Sequence, residues 1–97
     1  MKNRSRTEIE YSILSAANGE ANITEIAYKS FLSYMQVRDY LPAMVENGLL
    51  RYENVKMKRR FRTTEKGLQL LKMHEEMHET INWKVGIRQR ARRKNDR

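Results

Sequence analysis

Residues 22–64 read NITEIAYKSFLSYMQVRDYLPAMVENGLLRYENVKMKRRFRTT, and two helix starts lie nine to eleven residues apart inside this stretch. Asn22 is followed three residues later by Glu25, and Ser33 by Gln36, the spacing of reciprocal capping boxes. Asn22 or Thr24 can therefore open a short helix that carries Ile23, Ile26 and Ala27 and ends near Lys29 or Ser30. Phe31 and Leu32 then form an apolar pivot, and Ser33 opens a second helix. Val37, Leu41, Met44 and Val45 recur on one face of that helix, Tyr34 begins the same face, and Gly48 suits the left-handed residue that ends it. Two helices thus meet at a very short turn. Pro42 falls inside the second helix, where it removes one backbone hydrogen bond and crowds the carbonyl of residue 38, so a kink is expected there.

Working outward, Leu50 and Tyr52 alternate with polar residues, and a second extended run centres on Phe61, which predicts a β-hairpin. Its turn has no Gly and only Asn54 as a typical turn former, so a loop of about three to five residues with a basic tip is expected. Upstream, RTEIEYSILSAAN (residues 6–18) places Ile9, Ile13, Ala16 and Ala17 near one helical face, widened by Tyr11 and Leu14, before Asn18 and Gly19 stop it. Downstream, Thr63 or Thr64 caps a fourth helix with Leu68, Leu71, Met77 and Ile81 on an interrupted apolar side, flanked by Leu70 and Met73. That pattern persists to about Val85, and roughly 22 residues at about 1.5 Å each give a helix of roughly 33 Å, longer than a small three-helix body needs. Met77, Ile81, Trp83 and Val85 are then the residues expected to find cover in a second copy of the chain.

The chain has 97 residues, 20 Lys and Arg against 12 Asp and Glu, and no Cys. A chain this short has little room for an enclosed active site, and it lacks an apolar run long enough to cross a bilayer or act as a signal peptide. Its net charge of +8 is concentrated: residues 51–66 carry +5 and residues 86–97 another +5, while the remainder is close to neutral. Blocks of one sign create a local potential that attracts phosphate backbones. A cytoplasmic, nucleoid-associated location and no membrane partner are the corresponding expectations.

Helix, helix, short turn, helix, basic hairpin, helix is the order of a helix-turn-helix followed by a wing. The expected fold is mainly α with a small β-hairpin, a winged helix-turn-helix over residues 4–66, with a long C-terminal dimerisation helix over 64–86 and a basic tail over 87–97. The helix at 33–47 would enter the major groove of double-stranded DNA. Ser33, Tyr34, Gln36 and Arg38 are its candidate contacts, Gln36 to adenine and Arg38 to guanine or phosphate. In the wing, Lys56, Lys58, Arg59, Arg60 and Arg62 are candidates for the DNA backbone or minor groove. The tail residues Arg88, Arg90, Arg92, Arg93, Lys94 and Arg97 can follow a nucleic acid as a frayed helical extension or as a disordered arm.

One stretch points towards an enzyme. HEEMH at residues 74–78 satisfies the H-E-x-x-H pattern of zinc proteases. These are the only two His residues, however, and the downstream acids are Glu79 and, in the tail, Asp96, so no third ligand is apparent. With no Gly-rich phosphate loop and no nucleophile and base pair, the expectation is a non-enzyme without metal or cofactor; a hydrolase built on HEEMH is the remote alternative.

The run ITEIAYKSFLSYMQVRDYLPAMVENGLLRYE followed by FRTTEKGLQLLK resembles small archaeal winged-helix DNA-binding proteins, the Sulfolobus ten-kilodalton chromatin-associated class and related transcription regulators. The resemblance covers residues 5 to about 80 and is carried by Leu32, Ser33 and Tyr34, by Glu46, Asn47, Gly48, Leu49 and Leu50, and by Thr64, Glu65, Lys66 and Gly67. It implies a homodimer held by antiparallel coiled-coil packing of the last helices. Pro42, the charged 74–79 segment and the Arg-rich end depart from that pattern. The resulting expectation is a dimeric transcriptional regulator or chromatin-associated factor acting by occupancy, bending or blocking. An RNA-associated or protein-interaction winged-helix adaptor is the alternative.

Overall fold

A computed structural model describes residues 5–77. It contains α1 (Arg6–Ala16), α2 (Ile23–Ser30), α3 (Tyr34–Glu46), β1 (Leu50–Val55) and β2 (Lys58–Thr63), followed by a fourth helix, α4, over residues 65–77. The expected dimer residues Ile81, Trp83 and Val85, the tail from Arg88 to Arg97, and His78 lie outside the described residues.

Each of the first three helices starts with a complete capping box: Ser5 with Glu8, Asn22 with Glu25, and Ser33 with Gln36. In α2 the Glu25 amide donates to Asn22 Oδ1 at 2.8 Å and the Asn22 amide to Glu25 Oε1 at 2.9 Å, so Asn22 rather than Thr24 is the cap. Two amides that would otherwise lack a helical partner are satisfied at each start.

Two helices end in the same way. At the end of α3 the Gly48 amide donates to Val45 O (3.0 Å) and the Leu49 amide to Met44 O (2.9 Å), with Gly48 at φ +77°. At the end of α2 the Leu32 amide donates to Ala27 O (3.0 Å) and the Phe31 amide to Tyr28 O (3.4 Å), and here Phe31 occupies the left-handed position at φ +58°. Both are Schellman closures. This corrects the expected apolar pivot. Phe31 is 85% exposed, and only Leu32 packs against the core. A left-handed residue turns its Cβ away from the helix it ends, which is why the ring stands in solvent.

Helix α3 runs through Pro42 without interruption, and Val37, Leu41 and Met44 are buried beneath it. Val45 is half-buried, whereas Tyr34, expected to begin the apolar face, is half exposed. The core joins these residues to Ile9, Ile13 and Leu14 of α1, Ile23 and Ile26 of α2, Leu50 and Phe61 of the hairpin, and Leu71 of α4.

The strands pair antiparallel from Leu50 opposite Thr63 to Val55 opposite Lys58. Only Lys56 and Met57 connect them, with φ of +50° and +65°. The expected loop of three to five residues is therefore a two-residue turn with both central residues left-handed, as in a type I′ turn. Such turns match the right-handed twist of the strands they join. Six paired positions hold the turn in register although neither residue is the usual Asn or Gly. A further rung ties the hairpin to the body: Ala21 and Phe61 exchange both backbone hydrogen bonds at 2.8 Å.

Of the two candidate caps for α4, Thr64 is the one used: the Gly67 amide donates to its hydroxyl at 3.1 Å, and that hydroxyl donates to Gly48 O. Thr63 is instead buried, and its hydroxyl donates to Leu14 O of α1 at 2.7 Å. Gly67 sits so close to the end of α3 that a Cβ there would overlap Leu49 O and lie 2.7 Å from the Thr63 methyl. Of the apolar positions on α4 only Leu71 is buried; Leu68, Leu70, Met73 and Met77 are exposed in the single chain. Replacing Gly67 with Ala is expected to destabilise the fold by about 1–3 kcal/mol through overpacking, read as a lower urea midpoint at unchanged m-value.

Candidate nucleic-acid interface

The first turns of α3 expose Ser33, Tyr34, Met35, Gln36, Arg38 and Asp39, because Val37 and Leu41 turn the opposite side into the core. Two of these side chains already have a structural task. Ser33 Oγ accepts the Gln36 amide and Gln36 Oε1 accepts the Ser33 amide, each at 3.1 Å. Bidentate pairing with adenine needs both the amide oxygen and the amide nitrogen of a Gln. With the capping box closed, one lone pair of Gln36 Oε1 is taken and the amide is turned towards the helix start. Arg38 has no such engagement and faces the wing.

Alternation along the hairpin divides its cations between two faces. Tyr52 and Phe61 are opposite each other, with ring centroids 5.3 Å apart, and Asn54 lies opposite Arg59 on the same face. Between this face and α3 lies a cleft of about 260 Å³ whose lining includes Arg38, Leu41, Pro42, Tyr52, Arg59 and Phe61. Arg38 of the helix and Arg59 of the wing thus border one space. On the other face Arg51 lies opposite Arg62, Glu53 opposite Arg60, and Val55 opposite Lys58. Arg60 reaches back to Glu25 of α2, Nη1 to Oε1 3.9 Å, which partly neutralises it. Lys56 stands at the turn itself.

The structure therefore brings Arg38 and Arg59 to the side shared by α3 and the wing, leaves Lys56 at the turn, and separates Lys58, Arg60 and Arg62 onto the reverse strand face. Arg51 was missed by sequence reasoning. Placing it opposite Arg62 makes a like-charge pair, unfavourable in a bare sheet and relieved by an anion between the two. Only the strand register exposes that pairing. Exposed Tyr28 likewise escapes a reading based on charge.

The second His of the HEEMH pattern, His78, lies outside the described residues. The described residues contain no group of three or more His, Cys, Asp or Glu side chains placed to hold a metal. His74 stacks on Tyr11 of α1, centroids 3.6 Å apart and planes 20° from parallel, an α1 to α4 contact. No helix among the described residues is long and apolar enough to cross a membrane.

Three capped helices, a short turn before the third, and a two-stranded hairpin ahead of a fourth helix define a winged helix. The sequence model described as winged helix-turn-helix matches residues 3–82, and the chain belongs to that family. No curated protein matches it in sequence. Among solved structures it is similar to Sso10a-2, a DNA-binding protein from Sulfolobus solfataricus, at 28% identity and a TM-score of 0.71, covering 84% of this chain and 85% of that one. It shares its fold with the transcriptional regulator BldR from the same organism, at 19% identity and a TM-score of 0.70, over 80% of this chain and 60% of BldR. Lactococcus lactis ZitR in complex with DNA also shares the fold, at 21% identity and a TM-score of 0.64, over 79% of this chain and 55% of ZitR.

Because Ser33 and Gln36 cap α3 together, Ser33→Ala is expected to cost about 1 kcal/mol of stability. Gln36→Glu keeps the box and is expected to leave the melting temperature close to that of the parent protein. Thermal unfolding of the two variants checks both outcomes.

Proposed function

We propose that the chain is a double-stranded DNA-binding transcriptional regulator or chromatin-associated factor that acts without chemistry. The observation that carries this reading is the shared cleft: exposed Arg38 on α3 and Arg59 on the wing border one space, with Lys56 and Lys58 beyond it. In this reading α3 lies in the major groove and the wing follows the backbone or enters the minor groove. Arg38 is the preferred base reader, since an Arg can address guanine O6 and N7 together. Gln36 is the second, its amide turned towards the helix start while the capping box is closed; Ser33 and Tyr34 contribute phosphate contacts. Similarity to Sso10a-2, itself described as DNA-binding, supports the same conclusion.

The dimer belongs to this proposal. Leu70, Met73 and Met77 leave an exposed apolar surface on one side of α4, while Leu68 borders the wing beside Arg51 and Arg62. Continued through Ile81, Trp83 and Val85, that surface pairs with the same helix of a second copy, and the tail from Arg88 to Arg97 adds further phosphate contacts. A nucleoid-associated, cytoplasmic location follows from the same partner.

Binding to duplex DNA and to sequence-matched RNA over a salt series tests the reading; a preference for RNA would replace it with the adaptor alternative. Changing Lys56, Lys58 and Arg59 to Gln is expected to weaken binding to all sequences and to flatten the salt dependence by about 0.9 log unit per lost phosphate contact. Arg38→Ala is expected to cost about 1–3 kcal/mol at one base position and to relax the preference there, read by selection from a random duplex pool.

A further inference from the structure

The outermost residue of the wing is apolar. Met57 is 95% exposed, more than any other large hydrophobic side chain among the described residues. It also holds a left-handed backbone at φ +65°, beside Lys56 at φ +50°. Two independent costs meet at this position: a Gly there would adopt the same turn without strain, and a polar residue would be better hydrated. Folding gains nothing from Met57, which touches no part of the core.

Its setting identifies what it suits. Beyond the Tyr52 and Phe61 pair the hairpin contains no buried residue, so its outer rungs and turn project from the body. Four residue steps from Phe61 to Met57 at about 3.3 Å each carry the tip about 13 Å outward, more than the depth of the DNA minor groove at about 7.5 Å. Lys56 and Lys58 flank the methionine and Arg59 follows. A single apolar side chain ringed by cations is too small a surface for a protein or a membrane. It fits a polyanion with an apolar interior, which is what a duplex offers where two base pairs part. An unbranched, polarizable thioether adapts its shape to such a gap.

We propose that Met57 is a wedge that enters between adjacent base pairs from the minor groove and bends the DNA, with Lys56 and Lys58 on the phosphates to either side. The proposal rests on the DNA-binding reading above and adds to it a specific deformation. Since no hydrogen bond is offered by the thioether, site choice at this position follows deformability, favouring the easily unstacked TA and CA/TG steps.

End-to-end fluorescence energy transfer across a labelled duplex containing a central TA step, with the full chain, tests the wedge. The parent protein and Met57→Leu are expected to bend it by tens of degrees, within the roughly 20–90° of side-chain wedges. Met57→Gly and Met57→Lys are expected to bind with a salt slope no smaller than the parent's and to leave the duplex nearly straight. Met57→Gly should melt no lower than the parent, because it relaxes the turn. A parent protein that binds without bending, or glycine and lysine variants that bend as the parent does, would overturn the wedge and leave DNA binding intact. Absence of duplex binding by the parent would overturn the DNA reading itself and the wedge with it.

Discussion

The structure depends on how β2 is tied to the first two helices. Phe61 exchanges two backbone hydrogen bonds with Ala21. Two residues on, the Thr63 amide donates to Ala17 O at 3.2 Å and the Thr63 hydroxyl to Leu14 O at 2.7 Å. These four bonds involve the end of α1, Ala21 just ahead of the α2 cap and the inner half of the wing, and most of them lie beneath buried side chains, where an unpaired partner would be costly. They set where the wing stands relative to α3. Once β2 is anchored, Tyr52 packs on Phe61, the Arg38 and Arg59 cleft takes its width, and Thr64 is left in position to cap α4 against Gly48.

A second constraint runs through the recognition helix. Its N-terminal side chains both start the helix and stand exposed on its outer face. The capping box satisfies two amides at the exposed helix end, and the same geometry occupies one lone pair of Gln36 Oε1 and holds its amide towards the helix start. Arg38, one turn further in, carries no such obligation. This division explains why the chemically attractive Gln is the weaker candidate and the Arg the stronger one.

Local strain is distributed unevenly. Phe31, Lys56 and Met57 hold left-handed conformations without being Gly, and Phe31 and Met57 are also among the most exposed large side chains. The closure of α2 and the twist of the hairpin impose these angles from either side. Their apolar side chains are not recruited to the core, so the chain keeps apolar groups at two prominent corners of its surface.

Much of the fold was legible in the residues. Asn22 with Glu25, Ser33 with Gln36, and Gly48 announce where helices start and stop, because capping and left-handed closure are decided within four residues. The apolar spacing of Val37, Leu41 and Met44 identified the buried face of α3, and the count of charges located the basic wing. Local rules failed where the deciding partner was distant. Asn54 marked a longer turn, yet strand pairing and the anchoring of Phe61 to Ala21 selected a two-residue turn; Phe31, expected to form an apolar pivot with Leu32, is turned outward by the closure of α2. For the same reason the sequence by itself determined which residues carry charge and which helices form, since propensity, capping and periodicity are local. Only the tertiary structure decided which cations share a face, because strand register and the docking of β2 bring Arg59 to Arg38, set Arg51 against Arg62, and turn Arg60 back towards Glu25.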